Sequence, residues 1–486
     1  MNEEIRELEP KILWNKFADL NAVPRPSKKE ELVIEFMKKF GNDLNLETLV
    51  DNVGNVVIKK PATSGMEDRR PIVLQSHLDM VHQKNSDTDF DFETSGINMY
   101  VDGDWVRAKG TTLGADNGLG VASMMAILES KEIAHPALEA LFTIDEETGM
   151  TGAKGLDKDL LQGDILLNLD TEEDDEIGIG CAGGVDISAL RDYEEEHTPD
   201  NSVGYTIKVK GLKGGHSGMD IIKGLANANK IMARVLYDAN RDFGLRVSSI
   251  QGGGLRNAIP RESEALVVID KSNTETFLTE IIQQVRNIKT EFAALEPTMD
   301  IEISETELPN KVMKVEDQQE VVRAIVAAHN GVYRMSPDIE DLVEASNNIA
   351  SVKVGDGKVK INCLTRSSVE SSKDDLANSL EATFELAKFK VKLSDEYPGW
   401  APNPNSDILH IVDELYQNLH QEKADVAACH AGLECGIIGN HYPEMDMISF
   451  GPTIRGAHSP DERASVSSSQ KYWKFLLEVL KSIPKK

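Results

Sequence analysis

Histidine and carboxylate side chains that could bind metal ions are scattered through this sequence rather than gathered in one short motif. Imidazole nitrogens and carboxylate oxygens are ligands that a catalytic zinc or similar ion takes in proteins. A site that holds two such ions usually needs a carboxylate that bridges them. The helical motif His-Glu-x-x-His is absent, so the ligands would have to come from several elements. The candidates are His77, Asp79, Asp116, Glu146, Glu147, Asp170 and His458.

Each candidate also has a structural interpretation that involves no chemistry. Asp116 precedes an Asn-Gly pair and could cap the helix that follows. Asp170 could belong to a surface loop, and Glu146 with Glu147 could be a solvated pair of charges. A structural role is the preferred interpretation for seven other histidines, which are His82, His135, His197, His329, His410, His420 and His441.

The segments around the candidates indicate the elements that must position them. Strand-like runs at 71–75, 140–144 and 164–169 are each followed closely by histidine or acidic residues. The segment 118–130 is apolar on most faces, which predicts a buried helix. Residues 27–30, Ser-Lys-Lys-Glu, have the pattern of a capping box and predict a helix start. Strands alternating with helices predict an α/β sheet covered on both faces, and sites in such sheets form beyond the carboxyl ends of strands.

The middle of the chain differs from its two ends. A chain of 486 residues is expected to form two domains. Residues 186–398 alternate strand-like and helical segments and predict an α+β domain, and a segment rich in Pro and Asn at 397–405 marks its boundary. Candidate ligands lie on both sides of this domain. The sequence therefore predicts an α/β catalytic domain in two parts, 1–185 and 399–486, interrupted by an inserted α+β domain at 186–398.

Composition limits the partners and the compartment. The chain has 82 acidic and 52 basic residues and a formal net charge of −30, which disfavours nucleic acid and anionic membrane surfaces as partners. Four cysteines, none in a Cys-x-x-Cys pair, fit a reducing compartment. The sequence shows no signal peptide and no apolar run of about 18 residues. A cytoplasmic location is therefore expected.

The motifs around the candidates, taken together, resemble a known family. They are Ser-His-Leu-Asp-Met-Val at 76–81, Gly-Ala-Asp-Asn-Gly at 114–118, Asp-Glu-Glu-Thr-Gly at 145–149, Leu-Asp at 169–170 and Gly-Ala-His-Ser at 456–459. In this order they resemble the co-catalytic zinc peptidases that include carboxypeptidase G, peptidase T and aminoacylase. Longer motifs are similar to those of one subgroup, the aminoacylhistidine dipeptidases, also called peptidase D or carnosinase-like; these lie at 74–82, 110–116, 430–436 and 449–452.

The resemblance implies a fold and a set of metal ligands. The implied fold is a catalytic domain with a central mixed sheet flanked by helices. It is interrupted by the domain at 186–398, which would act as a lid over the site. The site would hold two Zn²⁺ ions per subunit, which Co²⁺ or Mn²⁺ can replace. Asp116 would bridge the ions. One ion would be completed by His77 and Asp170, and the other by Glu147 and His458.

The resemblance also implies roles for residues that are not ligands. Glu146 would be the general base that activates water. Asp79 would orient the metal-binding imidazole two residues before it, because alternate residues of a strand face the same side. In the lid, His216 would donate a hydrogen bond to the oxyanion of the tetrahedral intermediate, Asn257 would hold the substrate, and Arg366 would bind the substrate carboxylate.

The resemblance therefore predicts a metal-dependent hydrolase of small dipeptides. The preferred substrates would be Xaa-His dipeptides, including β-alanyl-histidine (carnosine), and the enzyme would be a homodimer formed through the lid. A broader dipeptidase, a tripeptidase or an N-deacylase on the same scaffold is an alternative, and so is a metal-containing binding protein that has lost catalysis. An interaction scaffold that uses the acidic surface is a third class. It stays open whether His216 serves its own subunit or the partner.

Overall fold

Apolar segments near both ends of the chain pair into one eight-stranded sheet in the computed structural model, which describes residues 2–486. This sheet lies in the first of two units, which comprises the chain up to Gly180, Trp400–Ala428 and Leu433–Lys486. The second unit comprises Cys181–Gly399 and Cys429–Gly432.

The helices and strands follow one another along the chain in three stretches. Before the second unit come α1 (Glu3–Arg6), α2 (Lys11–Leu20), α3 (Glu31–Asp43), β1 (Glu47–Val50), β2 (Val56–Lys60), β3 (Ile72–His77), β4 (Met99–Asp102), β5 (Trp105–Ala108), α4 (Ala115–Glu129), β6 (Leu138–Thr143), α5 (Thr151–Lys154), β7 (Ile165–Asn168) and β8 (Glu176–Cys181). Then come β9 (Gly183–Asp192), β10 (Glu195–His197), β11 (Ser202–Lys210), β12 (Gly215–His216), α6 (Ala228–Phe243), β13 (Arg246–Gly253), β14 (Ala258–Ile259), β15 (Ser263–Asp270), α7 (Thr274–Glu291), β16 (Asp300–Thr306), β17 (Lys311–Met313), α8 (Val315–Ala327), β18 (Gly331–Met335), β19 (Val343–Gly355), β20 (Lys358–Ser367), α9 (Glu370–Leu386) and β21 (Lys390–Tyr397). The last stretch contains α10 (Asp407–His420), β22 (Asp425–Cys429), α11 (Glu434–His441), β23 (Asp446–Ser449), β24 (Ile454–Arg455), β25 (Arg463–Ser465) and α12 (Val466–Ser482).

The sheet of the first unit has a parallel centre and antiparallel margins. Its strand order is β1-β2-β6-β3-β7-β23-β8-β22. Strands β6, β3, β7 and β23 are parallel to one another, whereas β2 pairs antiparallel with β6 and β8 pairs antiparallel with β23. Every residue of β3, β6 and β7 is buried, as expected for parallel strands covered on both faces. The mixed α/β fold predicted from the sequence is confirmed, and four strands end along the same edge.

Helix α4 crosses this unit as a core element. Its residues from Asn117 to Leu128 are all buried, which confirms the buried helix predicted at 118–130. It packs against α2 and β3. The predicted ligand His77 lies on β3, and Asp116 lies at the start of α4. The packing of α4 against β3 therefore fixes the distance between these two residues.

The second unit is built on an antiparallel sheet. Its order is β16-β11-β15-β13-β19-β20-β9-β21, with β18 paired to β19. Helices α6, α7, α8 and α9 belong to the same unit, and the buried side of α6 contributes Ile231, Met232, Val235 and Leu236 to its core. Sheet and helices are both well represented, as the α+β prediction requires.

The segment Cys429–Gly432 differs from the sequence prediction, which assigns it to the second part of the catalytic domain. It groups with the second unit because its backbone and side chains bond there. The backbone N–H of Ala182 donates to the carbonyl oxygens of Cys429 (3.0 Å) and Ala431 (2.9 Å). His430 Nε2 lies 2.8 Å from Ser346 Oγ. Along residues 2–486, no helix combines the length and apolar character needed to cross a membrane.

Candidate metal centre

The predicted ligands lie where the parallel strands of the first unit end. His77 is the last residue of β3, Asp170 lies two residues after β7, and Glu146 and Glu147 follow β6. Asp116 lies in the first turn of α4, where its φ and ψ angles of −82° and 112° are not helical. The strand order β6-β3-β7 therefore brings three ligand-bearing loops together at one edge, and α4 adds a fourth.

The two carboxylate oxygens of Asp116 face two different groups of ligands. On one side, His77 Nε2 lies 3.2 Å from Asp116 Oδ1 and 3.5 Å from Asp170 Oδ1. On the other side, His458 Nε2 lies 3.3 Å from Asp116 Oδ2 and 2.9 Å from Glu147 Oε2. The structure thus brings together two triples that share one aspartate.

This donor set fits two divalent cations. Each triple offers an imidazole nitrogen and carboxylate oxygens that all lie within 4.8 Å of one another. Glu147 Oε1 is buried and has no hydrogen-bond partner among residues 2–486, which is costly unless a cation or a donor reaches it. Nitrogen and oxygen donors around a shared carboxylate are the pattern of a two-metal catalytic site rather than of a closed thiolate site.

The two imidazoles have raised pKa values because carboxylates surround them. Burial opposes protonation of His77, but nearby carboxylates, led by Asp170, raise the pKa of His77 well above its ordinary value. Hydrogen bonds to Asp116 and Glu147 raise the pKa of His458 to about 11. Burial opposes ionisation of Asp116, yet its hydrogen bonds to the two histidines hold its pKa below the ordinary value. In the metal-free protein at neutral pH, both imidazoles therefore carry a proton that a metal ion must displace.

We expect metal binding to the stripped protein to release protons and to tighten as pH rises from about 6 to 8. The sign follows from the histidines, which are protonated in the metal-free protein across this range and must be neutral to bind a metal. Calorimetric titration with Zn²⁺ in buffers of different ionisation enthalpy measures the released protons. A binding enthalpy that is the same in every buffer would contradict this assignment.

Asp79 holds both the first imidazole and the loop after β6. Its Oδ1 lies 3.3 Å from His77 Nδ1, and it also accepts the backbone N–H of Glu146 at 3.0 Å. Its Oδ2 accepts the backbone N–H of Glu147 at 3.3 Å and the hydroxyl of Ser27 at 2.8 Å. The capping box predicted from Ser27 is therefore wrong, because its hydroxyl bonds to Asp79, and α3 begins without a side-chain cap.

Glu146 lies beside the ligands but in neither triple that contains Asp116. One of its oxygens lies within 4.8 Å of ligand atoms of His77 and Glu147. Burial raises the pKa of Glu146 well above its ordinary value, and although His77 opposes this, the carboxylates of Asp170 and Glu147 add to it. A carboxyl group whose pKa is raised in this way can both accept and return a proton, as general acid–base catalysis requires.

A buried polar network that the sequence did not predict joins the ends of three strands. Glu434 accepts hydrogen bonds from Gln75 Nε2 (2.7 Å) and Thr143 Oγ1 (2.5 Å). Asn168 Nδ2 donates to Gln75 Oε1 at 2.5 Å. Burial raises the pKa of Glu434 to about 8. The only sequence signal was the place of Glu434 within the motif at 430–436.

Two further buried charges were also missed. Glu462 accepts hydrogen bonds from backbone N–H groups of the loop that carries Asp116. Arg25 donates to a backbone carbonyl oxygen of the same loop. Glu462 lies four residues after His458, and this proximity is the one signal in the sequence that could have identified it. Nothing near Arg25 in the sequence indicates its role.

The predicted lid residues lie in the second unit. His216 is in β12, whose pairing with β14 places it opposite Ala258, and the backbone N–H of Ser217 donates to the carbonyl of Asn257 at 2.8 Å. Arg366 is buried, donates to the hydroxyl of Tyr397 at 2.8 Å, and has an Nε with no partner among the described residues. The structure therefore brings the backbones of His216 and Asn257 together at the two-stranded β12-β14 sheet.

His430 is a neighbour of Arg366 that the predicted site does not include. In the pairing of β19 with β20, Arg366 lies opposite Ser346, whose hydroxyl bonds to His430. Burial and the nearby guanidinium lower the pKa of His430 to about 3, so its imidazole is neutral at physiological pH.

Comparisons with known proteins agree with this geometry. Residues 73–482 match the peptidase family M20/M25/M40. The chain is 43% identical over 485 residues to the cytosol non-specific dipeptidase of Escherichia coli, covering 99% of this chain and 100% of that protein. The crystal structure of aminoacylhistidine dipeptidase from Vibrio alginolyticus superposes with a TM-score of 0.94 at 42% identity, covering 100% of this chain and 99% of the other. The aminopeptidase PepT of Bacillus cereus has a TM-score of 0.58 at 16% identity, covers 98% and 99% of the two chains, and shares the fold.

Proposed function

The chain belongs to the peptidase family M20/M25/M40, and from this premise we propose that it is a metal-dependent dipeptidase. The observation that carries the proposal is the shared aspartate, since Asp116 faces His77 with one oxygen and His458 with the other. Two similar proteins, from E. coli and V. alginolyticus, are both named as dipeptidases. The rival function, a binding protein without catalysis, would not require Glu146 beside a complete set of ligands.

In this proposal each ligand has one place. His77 and Asp170 would hold one ion, Glu147 and His458 would hold the other, and Asp116 would offer one oxygen to each. Two Zn²⁺ ions bound there would polarise the scissile carbonyl group and make a water molecule acidic enough to lose a proton near neutral pH. Co²⁺ or Mn²⁺ can take the same oxygen and nitrogen donors.

The remaining residues move protons and hold the substrate. Glu146 takes a proton from the attacking water and delivers it to the leaving amine. Asp79 keeps both His77 and the Glu146 backbone in place through the bonds described above. His216 donates a hydrogen bond to the oxyanion, and Asn257 orients the substrate. His216 could serve the site of its own chain or of a partner chain.

Arg366 is proposed to bind the free carboxylate of the dipeptide. A guanidinium can hold a carboxylate through two parallel hydrogen bonds, which a lysine cannot reproduce. Arg366 is only 5% exposed, and its Nε has no partner among the described residues. A carboxylate partner at a fixed distance from the metal site would select dipeptides over longer peptides.

Replacing Arg366 by Ala should weaken transition-state binding of dipeptides that have a free C-terminus by about 2–5 kcal/mol, because it leaves a buried carboxylate unpaired. The corresponding dipeptide amides, which lack that charge, should lose much less. Measuring kcat/KM for acid and amide pairs on the wild type, Arg366→Ala and Arg366→Lys tests this. Equal losses on the acid and on the amide would show that Arg366 is not the carboxylate partner.

We further propose that the preferred substrates are Xaa-His dipeptides, including β-alanyl-histidine. The name of the V. alginolyticus relative supports this preference, whereas the E. coli relative is named non-specific and supports a broader dipeptidase. A hydrolysis panel of dipeptides with varied C-terminal residues distinguishes the two. Cleavage of N-acyl amino acids without cleavage of any dipeptide would instead make the protein a deacylase and overturn the proposal.

The cellular setting follows from the same relatives and from composition. We propose a cytoplasmic enzyme, since the E. coli relative is named a cytosol dipeptidase. With a net charge of −30, its partners are small peptide substrates rather than nucleic acids or anionic membranes. The proposed assembly is a homodimer through the lid.

A further inference from the structure

Glu462 binds four consecutive backbone N–H groups of the loop that carries Asp116. Its Oε2 accepts from Leu113 at 2.7 Å and Gly114 at 2.9 Å, and its Oε1 accepts from Ala115 at 2.7 Å and Asp116 at 3.2 Å. The side chain is buried, with 2% of its surface exposed. Four backbone donors bound to one buried side chain restrict the loop, because breaking these bonds would leave buried polar groups without partners.

Arg25 binds the carbonyl side of the same loop. Its NH2 group donates to Gly114 O at 2.5 Å, and its NH1 group donates to the carbonyls of Leu78 (3.0 Å) and Asp79 (3.1 Å). A side chain at Gly114, where φ is +70°, would meet the guanidinium 2.6 Å away. Arg25 therefore ties the Asp116 loop to the residues that follow β3.

The loop that carries His458 connects the paired strands β24 and β25, which hold its two ends. The His458 side chain is 56% exposed, and its φ of +64° lies in the left-handed region that non-glycine residues rarely adopt. The turn is closed by the backbone N–H of Glu462, which donates to Ser459 O at 3.0 Å, and by Ser459 Oγ, which donates to Gly456 O at 2.8 Å. The buried Glu462 side chain then anchors this turn to the Asp116 loop.

The other triple is held by different residues. Asp79 orients His77, and the side-chain amide of Asn117 donates to Asp170 Oδ1 and, at 2.9 Å, to the carbonyl of Leu169. None of these bonds involves Glu462. In the triple with His77, only the shared Asp116 thus loses a restraint if the Glu462 bonds are lost, whereas the other triple loses restraints on both Asp116 and His458.

We infer that Glu462 is a positioning residue that sets the distance between Asp116 and His458, and so the affinity of the metal site they form with Glu147. The inference rests on the proposed two-metal function. Glu462 is not itself a ligand, but it joins two ligands, Asp116 and His458, that lie 342 positions apart in the sequence. Its loss should weaken one metal site much more than the other.

The test is a metal titration of stripped wild type and Glu462→Gln with Co²⁺, followed by calorimetry and by the visible absorption of bound cobalt. The glutamine keeps the shape but turns an amide NH₂ toward backbone donors. We expect the ion at the site of Asp116, Glu147 and His458 to bind about 10–100-fold less tightly, the scale for partners that orient metal ligands, and the other ion to be affected much less. Asp461→Asn, an exposed acid next in sequence, is the matched control and should bind both ions normally.

Further measurements separate positioning from a loss of fold. Thermal unfolding of the metal-free variants reports folding, and Glu462→Asp, which keeps the charge, should recover part of the lost affinity. If no Glu462 variant folds, hydrogen exchange on metal-free wild type decides, since the amides of residues 113–116 should exchange slowly. Rapid exchange there, unchanged affinities in Glu462→Gln, or equal weakening of both ions would overturn the inference. A wild type that does not bind two ions would instead overturn the proposed function.

Discussion

Replacing Glu146 by Gln should lower kcat by at least about 10²-fold while the metal content stays near that of the wild type. Glutamine has nearly the same shape but cannot take a proton from water. The backbone of Glu146 is held by Asp79 at 3.0 Å, so the side chain keeps its place after the substitution. Glu146 is near His77 and Glu147 but is in neither triple that contains Asp116, so the ligands proposed for the two ions do not include it.

The neighbouring carboxylate provides the matched control. Glu147→Gln changes the same functional group one residue further on, but Glu147 belongs to a ligand triple with Asp116 and His458. It should therefore lose metal as well as activity, whereas Glu146→Gln should lose activity alone. Steady-state kinetics together with metal analysis separates the two. Near-normal turnover of Glu146→Gln would assign the general base to another group.

Asp116→Ala should remove both ions and reduce activity below detection. Its two oxygens lie 3.2 Å from His77 and 3.3 Å from His458, so one substitution removes a ligand from each group. His77→Ala should mainly affect the ion on its own side, since the triple of Asp116, Glu147 and His458 keeps all its members. Metal content measured by elemental analysis after dialysis distinguishes these patterns. Retention of both ions in Asp116→Ala would show that this aspartate does not bridge.

The positions of the predicted ligands could be anticipated because each depends on a short segment of sequence, a strand and the residues that follow it. Strands β3 and β7 each begin with three apolar residues and end in polar ones, and parallel strands end at the same edge of a sheet. Histidine or acid directly after such a run is therefore brought to that edge, as His77 and Asp170 are. The residues His216, Asn257 and Arg366 all lie within the predicted domain at 186–398, but their roles were named by resemblance and nothing in their spacing indicates those roles.

The residues that hold the ligands could not be anticipated in the same way. Glu462 bonds to Asp116 across 346 positions, and Arg25 bonds to Gly114 across 89. Both bind backbone groups, which every residue has, so no side-chain pairing in the sequence reveals them. Ser27 shows the converse, since a local capping pattern was overruled by a distant partner, Asp79.

The short segment Cys429–Gly432 illustrates a further limit. The sequence places it in the second part of the catalytic domain because the alternation of helices and strands resumes at Ile408. In the structure its carbonyls accept from Ala182, and His430 bonds to Ser346. These are long-range contacts between residues with no shared periodicity, and only the folded chain reveals them.

The most direct test of the two-metal account is metal content and dipeptide hydrolysis measured on the same samples of wild type. Bound metal is removed from the enzyme with a chelator, and Zn²⁺ is then added back stepwise. A two-metal mechanism predicts that activity disappears with the metal and returns fully as the metal content rises to two ions per chain. Both ions should require Asp116. Full activity in a sample that holds no transition metal, or saturation at a single ion per chain, would contradict it.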